Sequence, residues 1–148
     1  MLLRSAYLAQ PGQGVIADAG IQVTDGIIRS VGSFAEVQAK FPADAVTDFG
    51  AAVIIPGLIN AHCHLELSLL QDRLLKEPDF AAWIKAQIEA RKTWNKNTYR
   101  GSLIKGLEAS VRAGTTTLVD ISSQHIIDPL LACPIRIIEC FETFALDP

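Results

Sequence analysis

The segment VIIPGLINAHCHLELSLL, residues 53–70, runs from an apolar stretch directly into a pair of histidines, His62 and His64. Residues 58–65 have the apolar character of a buried strand. Side chains at positions i and i+2 of a strand lie on the same face, roughly 6.5 to 7 Å apart. Two imidazoles at that spacing can bind one metal ion at about 2.0 to 2.1 Å each. The segment therefore predicts part of a metal site, with Cys63 pointing to the opposite face.

A His-x-His pair taken alone is also compatible with two strand-end histidines that bond only to backbone or water. Two features of its context favour a functional role. The pair ends a strand of α/β character, where barrel enzymes place their catalytic groups. Pro56-Gly57 marks a change of chain direction just before that strand. Glu66 would share the histidine face if the strand continued, so it is either a substrate contact or a surface carboxylate.

Composition excludes several classes of protein. The 148 residues are 49% hydrophobic and 20% charged, which is typical of a globular protein. A net charge of -3 without a basic stripe argues against a nucleic-acid partner. No apolar run approaches the roughly 18 residues that span a membrane. Three cysteines, an odd number without a CxxC pair, favour reduced thiols, buried apolar side chains and a cytoplasmic location.

Residues 1–55 have the pattern of a β-rich domain. The Asp25-Gly26 pair between two apolar runs predicts a hairpin, because both central residues of such a turn need positive φ. A short helix with helical apolar spacing is expected over residues 34–41. The remaining elements are strands, predicted over residues 2–8, 15–23, 27–31 and 47–55.

Residues 56–148 alternate between strands and helices. Phe80, Trp83, Ile84 and Ile88 predict one buried face of a helix that begins after the cap Asp79. A second helix over residues 98–113 is expected to bury Leu103, Leu107 and Val111 and to end at Gly114, and a short one is predicted over residues 126–131. Strands are predicted over residues 58–65, 115–121 and 135–140. This order predicts an α/β fold with a parallel sheet of βαβ units.

Three segments carry a resemblance to a known family. PGLINAHCHLE resembles the PGL(I/V)(N/D)xHxH signature that opens the metal-bearing barrel of the amidohydrolase superfamily. DGIIRSVG resembles part of that superfamily's flanking β-sandwich, and GTTTLVD resembles its second barrel strand. HLELS and the Phe80-x-x-Trp83-Ile84 helix start are similar to the deaminase and chlorohydrolase branch, near the aminodeoxyfutalosine and adenosylhomocysteine-type deaminases.

The resemblance implies a fold, a metal and a reaction. Residues 1–55 would belong to the sandwich, and residues 56–148 would form about three βα units of a (β/α)8 barrel. His62 and His64 would bind one Zn²⁺ or Fe²⁺ ion, whose bound water supplies a hydroxide at neutral pH. That metal-bound hydroxide would deaminate a small molecule, a purine-like or related nitrogen heterocycle. Glu66 and Trp83 are candidate substrate contacts, with a core position as the alternative for Trp83.

The length of the chain leads to a further expectation. A complete (β/α)8 barrel takes about 250 residues, so the chain is expected to be the N-terminal portion of the enzyme and inactive alone. It would then self-associate or pair with a C-terminal part. The alternatives are an inert remnant that acts as a structural or assembly module, and an amidohydrolase that cleaves a ring amide or a carbon-halogen bond.

Other polar residues near the predicted strand ends have simpler interpretations. Asp120 is expected to accept hydrogen bonds from local backbone amides. Ser122, Ser123 and His125 fall in a strand-end loop, and His125 is expected to be solvated and without a function. Glu139 has no partner in the sequence pattern and is assigned no role.

Overall fold

The computed structural model describes residues 1–73, 79–123, 126 and 128–142. The chain divides into two compact units, Met1–Pro56 and Gly57–Pro148. Each unit has its own sheet and its own apolar core. No helix within the described residues is long and apolar enough to cross a membrane.

The first unit is built on a five-stranded sheet. The strands are β1 (Leu2–Gln10), β2 (Gly14–Thr24), β3 (Ile27–Ser33), β4 (Val46–Asp48) and β5 (Val53–Ile54). β1 is antiparallel to β2 and parallel to the two short strands β4 and β5, and β2 is antiparallel to β3. Leu8, Ala19 and Ile21 form the buried apolar cluster of this unit.

Local sequence signals account for the turns of this unit. Asp25 and Gly26 have φ values of 53° and 73°, so the predicted hairpin between β2 and β3 is confirmed. Helix α1 (Phe34–Lys40) is also confirmed, and it begins with a capping box between Ser33 and Glu36.

One predicted strand of the first unit is wrong in its extent. Residues 47–55 do not form a continuous strand, because β4 ends at Asp48 and β5 begins at Val53. Gly50 between them has a φ of 62°, and its amide donates to Asp48 Oδ1 at 2.8 Å. This turn interrupts the extended backbone.

The second unit is built on a parallel three-stranded sheet. Its elements are β6 (Leu58–Cys63), a 3-10 helix (Leu65–Leu70), α2 (Phe80–Arg91), α3 (Lys96–Arg112), β7 (Thr115–Ser122), α4 (Asp128–Leu131) and β8 (Arg136–Phe141). The strands lie in the order β6-β7-β8, with helices between them, so the predicted α/β fold with parallel strands is confirmed.

The core of this unit lies between the sheet and the helices that connect its strands. The buried cluster contains Leu65, Leu103, Leu107, Leu118, Ile126 and Leu130. Leu103 and Leu107 therefore occupy the interior as predicted, and Gly114 follows α3 with a φ of 80°. Val111, in contrast, is 40% exposed, so its predicted burial is wrong.

Helix α2 has the predicted start but not the predicted environment. The Asp79 side chain accepts a hydrogen bond from the amide of Ala82, as expected of an N-cap. The apolar positions of this helix are exposed, however. The exposed fractions are 73% for Phe80, 40% for Trp83, 36% for Ile84 and 53% for Ile88. The predicted burial of this face is wrong, because helical spacing identifies an apolar face without showing what covers it.

The cysteines differ in exposure. All three thiols are free; Cys63 and Cys133 are partly buried, whereas Cys140 is exposed. The expectation that every cysteine is buried is therefore wrong for Cys140, which lies on β8.

Candidate functional site

The two histidines of the quoted segment lie together at the carboxyl end of β6. Their ring centres are 5.3 Å apart and their ring planes meet at 71°. His62 is exposed and His64 is partly buried. One nitrogen of each imidazole can reach a shared divalent ion at about 2.0 to 2.1 Å, so the pair fits the metal that the sequence predicts.

Within the described residues, no third metal ligand accompanies the two histidines. No group of three or more His, Cys, Asp or Glu side chains that could hold an ion occurs among those residues. Catalytic zinc sites usually have three protein ligands and an open position. The two imidazoles are thus one ligand short of that set within the described residues.

Asp120 lies beside the histidine segment, near the end of β7. Its side chain is fully buried, and Oδ1 accepts a hydrogen bond from the amide of Leu65 at 2.8 Å. Asp120 therefore accepts from a backbone amide, but the donor lies 55 positions away, so the prediction that it caps local amides is wrong. Burial raises the pKa of Asp120, the Leu65 amide opposes that change, and the nearby carboxylates of Glu66 and Glu139 add to it.

Glu66 lies in the same region, but a different secondary-structure element from the predicted one places it there. β6 ends at Cys63, and Glu66 lies in the 3-10 helix that follows, so the predicted continuation of the strand to Glu66 is wrong. The side chain is nevertheless only 4% exposed. Its Oε1 accepts from Ser123 Oγ at 2.9 Å and from Arg91 Nη1 at 3.5 Å. Its Oε2 accepts from Ser122 Oγ at 3.2 Å and from the Ser123 amide at 3.1 Å.

Glu139 and Arg91 are polar residues of this region that sequence reasoning missed. Glu139 pairs in register with Asp120 across β7 and β8, and its Oε1 is buried with no hydrogen-bond partner in the described part of the chain. The parallel order of the strands could have indicated this neighbourhood, because the carboxyl ends of parallel strands share one edge of the sheet. No sequence signal identified Arg91, which contacts a residue 25 positions away.

Trp83 lies on a separate cleft between the 3-10 helix and α2. This cleft has a volume of about 290 Å³ and is lined by Leu67, Leu70, Gln71, Asp72, Trp83 and Gln87. Trp83 is therefore not a core residue in this unit, and its role as a substrate contact stays a prediction. His125 lies outside the described residues.

Comparison with known proteins identifies the family to which this chain belongs. Residues 53–145 match the model of the amidohydrolase family. The chain belongs to the amidohydrolase family. The predicted resemblance is thereby confirmed, and the segment that contains both histidines lies within the matched region.

The chain is similar in sequence to a curated deaminase and similar in fold to two solved structures. A 5-methylthioadenosine/S-adenosylhomocysteine deaminase of Pyrococcus furiosus is 32% identical over 123 residues, which cover 82% of this chain. Aminofutalosine deaminase of Helicobacter pylori has the same fold, with a TM-score of 0.82, 20% identity and 98% of this chain covered. The atrazine chlorohydrolase of Arthrobacter aurescens, solved with zinc, has a TM-score of 0.78 at 19% identity over 99% of this chain.

The chain corresponds to a limited part of each of these amidohydrolases. It spans 28% of the length of the Pyrococcus deaminase, and 36% of the Helicobacter and Arthrobacter chains. The activity of a whole enzyme is therefore a matter of proposal for this chain.

Proposed function

We propose that this chain forms the opening part of the active site of a hydrolytic deaminase that acts on a purine-like or related nitrogen heterocycle. The observation that carries the proposal is the His62–His64 pair at the carboxyl end of a parallel strand, within the matched family segment. Barrel enzymes place their catalytic groups at this end of the strands. The relative at 32% identity is a deaminase of adenosine derivatives, which favours deamination over cleavage of a ring amide or a carbon-halogen bond.

The architecture supports the finer assignment of the fold. Three parallel strands with helices between them are what the first units of a (β/α)8 barrel would contribute. The five-stranded sheet of residues 1–56 would be part of a flanking sandwich. The remaining strands of the barrel would supply the further ligands and the proton-transfer groups.

The residues of this chain have distinct roles in the proposed site. His62 and His64 would hold a divalent ion, Zn²⁺ or Fe²⁺, through neutral imidazole nitrogens. When bound, the ion lowers the pKa of its water to about 7 and so supplies the nucleophile. The backbone that carries His64 is fixed to β7 through the hydrogen bond from Leu65 to Asp120. Trp83 would contact part of the substrate from the neighbouring cleft.

The first test is the metal content of the purified 148-residue chain. We expect the wild-type chain to bind zinc or iron. The His62→Ala/His64→Ala double variant should bind the same metal with at least about tenfold weaker affinity. The matched control is His125→Ala, which removes the remaining histidine and should leave the affinity unchanged. Equal trace metal in the wild-type chain and the double variant would contradict the proposed site.

A second measurement addresses the reaction. Ammonia release from 5'-methylthioadenosine is measured with the zinc-loaded wild-type chain and with the double variant. Two protein ligands fall short of the usual three, so the isolated chain is expected to bind metal without turnover. Ammonia release by the wild-type chain alone would show that this expectation of inactivity is wrong.

A further inference from the structure

The Glu66 carboxyl group is buried although it is strongly polar. Its side chain is 4% exposed, and burial of a carboxylate is costly unless hydrogen bonds and a partner charge compensate for it. Ser122, Ser123 and Arg91 supply that compensation with four donors that lie 2.9 to 3.5 Å from its two oxygens. Because both oxygens are engaged within the chain, the carboxylate has little capacity left to bind a ligand.

The donors come from two elements that are distant in the sequence. Ser122 and Ser123 stand at the carboxyl end of β7, and Arg91 is the last residue of α2. Glu66 itself follows His64 by two positions in the 3-10 helix. The carboxylate therefore joins the segment of a candidate metal ligand to the next strand and to the helix that carries Trp83.

The segment after His64 is bonded to the end of β7 at two consecutive residues, through the backbone of Leu65 and the side chain of Glu66. The Leu65 amide donates to Asp120 Oδ1, and the Glu66 side chain accepts from the Ser123 amide. His64 lies where the strand turns into the 3-10 helix, with φ of -128° and ψ of 84°, and its own side chain makes no capping hydrogen bond. The position of His64 at this turn thus depends on bonds that its two following neighbours make to the end of β7.

We propose that Glu66 is a positioning residue, which aligns His64 with the end of β7 and with helix α2, instead of a group that contacts substrate. This inference rests on the proposed function only where metal binding is concerned. The alignment of His64 is a property of the metal-free chain and can be measured separately.

The test compares Glu66→Ala and Glu66→Gln with a matched control, Glu89→Ala. Glu89 is a carboxylate on α2 whose side chain is 70% exposed and pairs with Lys92. In metal-free protein, the imidazole resonances of His64 are recorded by NMR and assigned with a His64→Ala variant. We expect them to shift in Glu66→Ala and to keep their wild-type positions in Glu89→Ala. Glu66→Gln retains an acceptor for the Ser123 amide, so it should restore most of the wild-type spectrum.

Binding of Co²⁺ provides the second readout. Loss of an outer partner of a metal ligand typically weakens metal binding by about 10- to 100-fold. We therefore expect at least about tenfold weaker Co²⁺ binding and an altered visible spectrum in Glu66→Ala, with values close to wild type in Glu66→Gln and Glu89→Ala. Thermal unfolding of each apo variant separates this effect from a general loss of stability.

The outcomes are distinguishable. If Glu66→Ala does not fold, Ser123→Ala removes one hydroxyl donor to Glu66 and should shift the His64 resonances in the same direction by less. Wild-type His64 resonances in Glu66→Ala, or in Ser123→Ala when the first variant is unfolded, would overturn the positioning role. If the wild-type chain binds no Co²⁺ through its histidines, the proposed function fails, while the NMR comparison still decides the role of Glu66.

Discussion

At the scale of single residues, Cys63 illustrates how position decides the chemistry of a side chain. It lies between the two histidines, yet its Sγ donates to the carbonyl of Val119 at 3.3 Å. Burial, followed by the nearby Asp120 carboxylate, raises the pKa of the Cys63 thiol to about 11. A thiolate ligand would require the opposite environment. The structure therefore separates the cysteine from the imidazoles that flank it.

This environment predicts slow alkylation of Cys63. The thiolate is the reactive form, and a raised pKa keeps the thiol protonated at neutral pH. With iodoacetamide at pH 8 and a chelator present, Cys63 should react at least about tenfold more slowly than the exposed Cys140. Its rate should rise with pH until the pH passes about 11. Peptide mass spectrometry measures both rates, and equal rates at pH 8 would contradict the assigned burial.

At the scale of elements, helix α3 (Lys96–Arg112) has two glycines in different surroundings. A Cβ atom added at Gly106 would collide with Ser68 and Leu65 of the 3-10 helix. A Cβ atom added at Gly101 would meet nothing within 4 Å. Gly106 thus allows α3 to approach the segment that follows the histidines, whereas Gly101 has no such packing role.

Alanine substitutions at the two glycines should therefore change the free energy of unfolding in opposite directions. Gly106→Ala should lower the free energy of unfolding by about 1 to 3 kcal/mol, because the Ser68 and Leu65 side chains must move to admit the added methyl group. Gly101→Ala should raise it by about 0.5 to 1 kcal/mol, because alanine loses less backbone entropy in a helix. Chemical denaturation of both variants tests the pair. Stabilisation by Gly106→Ala would show that the close approach of the two helices is absent in solution.

At the scale of the whole molecule, the second unit presents apolar surface on its sheet and on α2. β6 and β8 are the outer strands of the sheet within the described residues, and each exposes large apolar side chains. Ile59 is 72% exposed on β6, and Ile138 is 50% exposed on β8. Outer strands and exposed apolar patches of this kind promote association. We propose that the isolated chain self-associates or pairs with a further part of an amidohydrolase.

We expect the chain to associate through this apolar surface. A single charged side chain placed on the sheet should weaken that association. In sedimentation velocity, the wild-type chain should form larger species as its concentration rises. Ile138→Lys should raise the dissociation constant about tenfold, which corresponds to about 1.4 kcal/mol. Ile27→Lys is the control, because Ile27 is similarly exposed, at 52%, but lies in the first unit. A monomer at all concentrations, or equal effects of both substitutions, would contradict this association surface.

The sequence by itself determined the features that depend on near neighbours. The Asp25-Gly26 hairpin and the Asp79 cap follow from backbone conformations and hydrogen bonds spanning about three residues. The alternation of apolar strands with helices was sufficient to predict the parallel α/β sheet. The PGLINAHCHLE segment was sufficient for the family, which the match over residues 53–145 confirms. The metal role of His62 and His64 stays a prediction.

Only the tertiary structure decided which polar groups meet around these histidines. The bonds that Ser122 and Ser123 donate to Glu66 span 56 and 57 positions, and the bond that Leu65 donates to Asp120 spans 55. Such contacts depend on the register of β6 against β7 and on where β6 ends, and no local pattern encodes either. The exposure of helix α2 was likewise decided only by tertiary contacts. An apolar face is a property of the helix, whereas its burial depends on what packs against it.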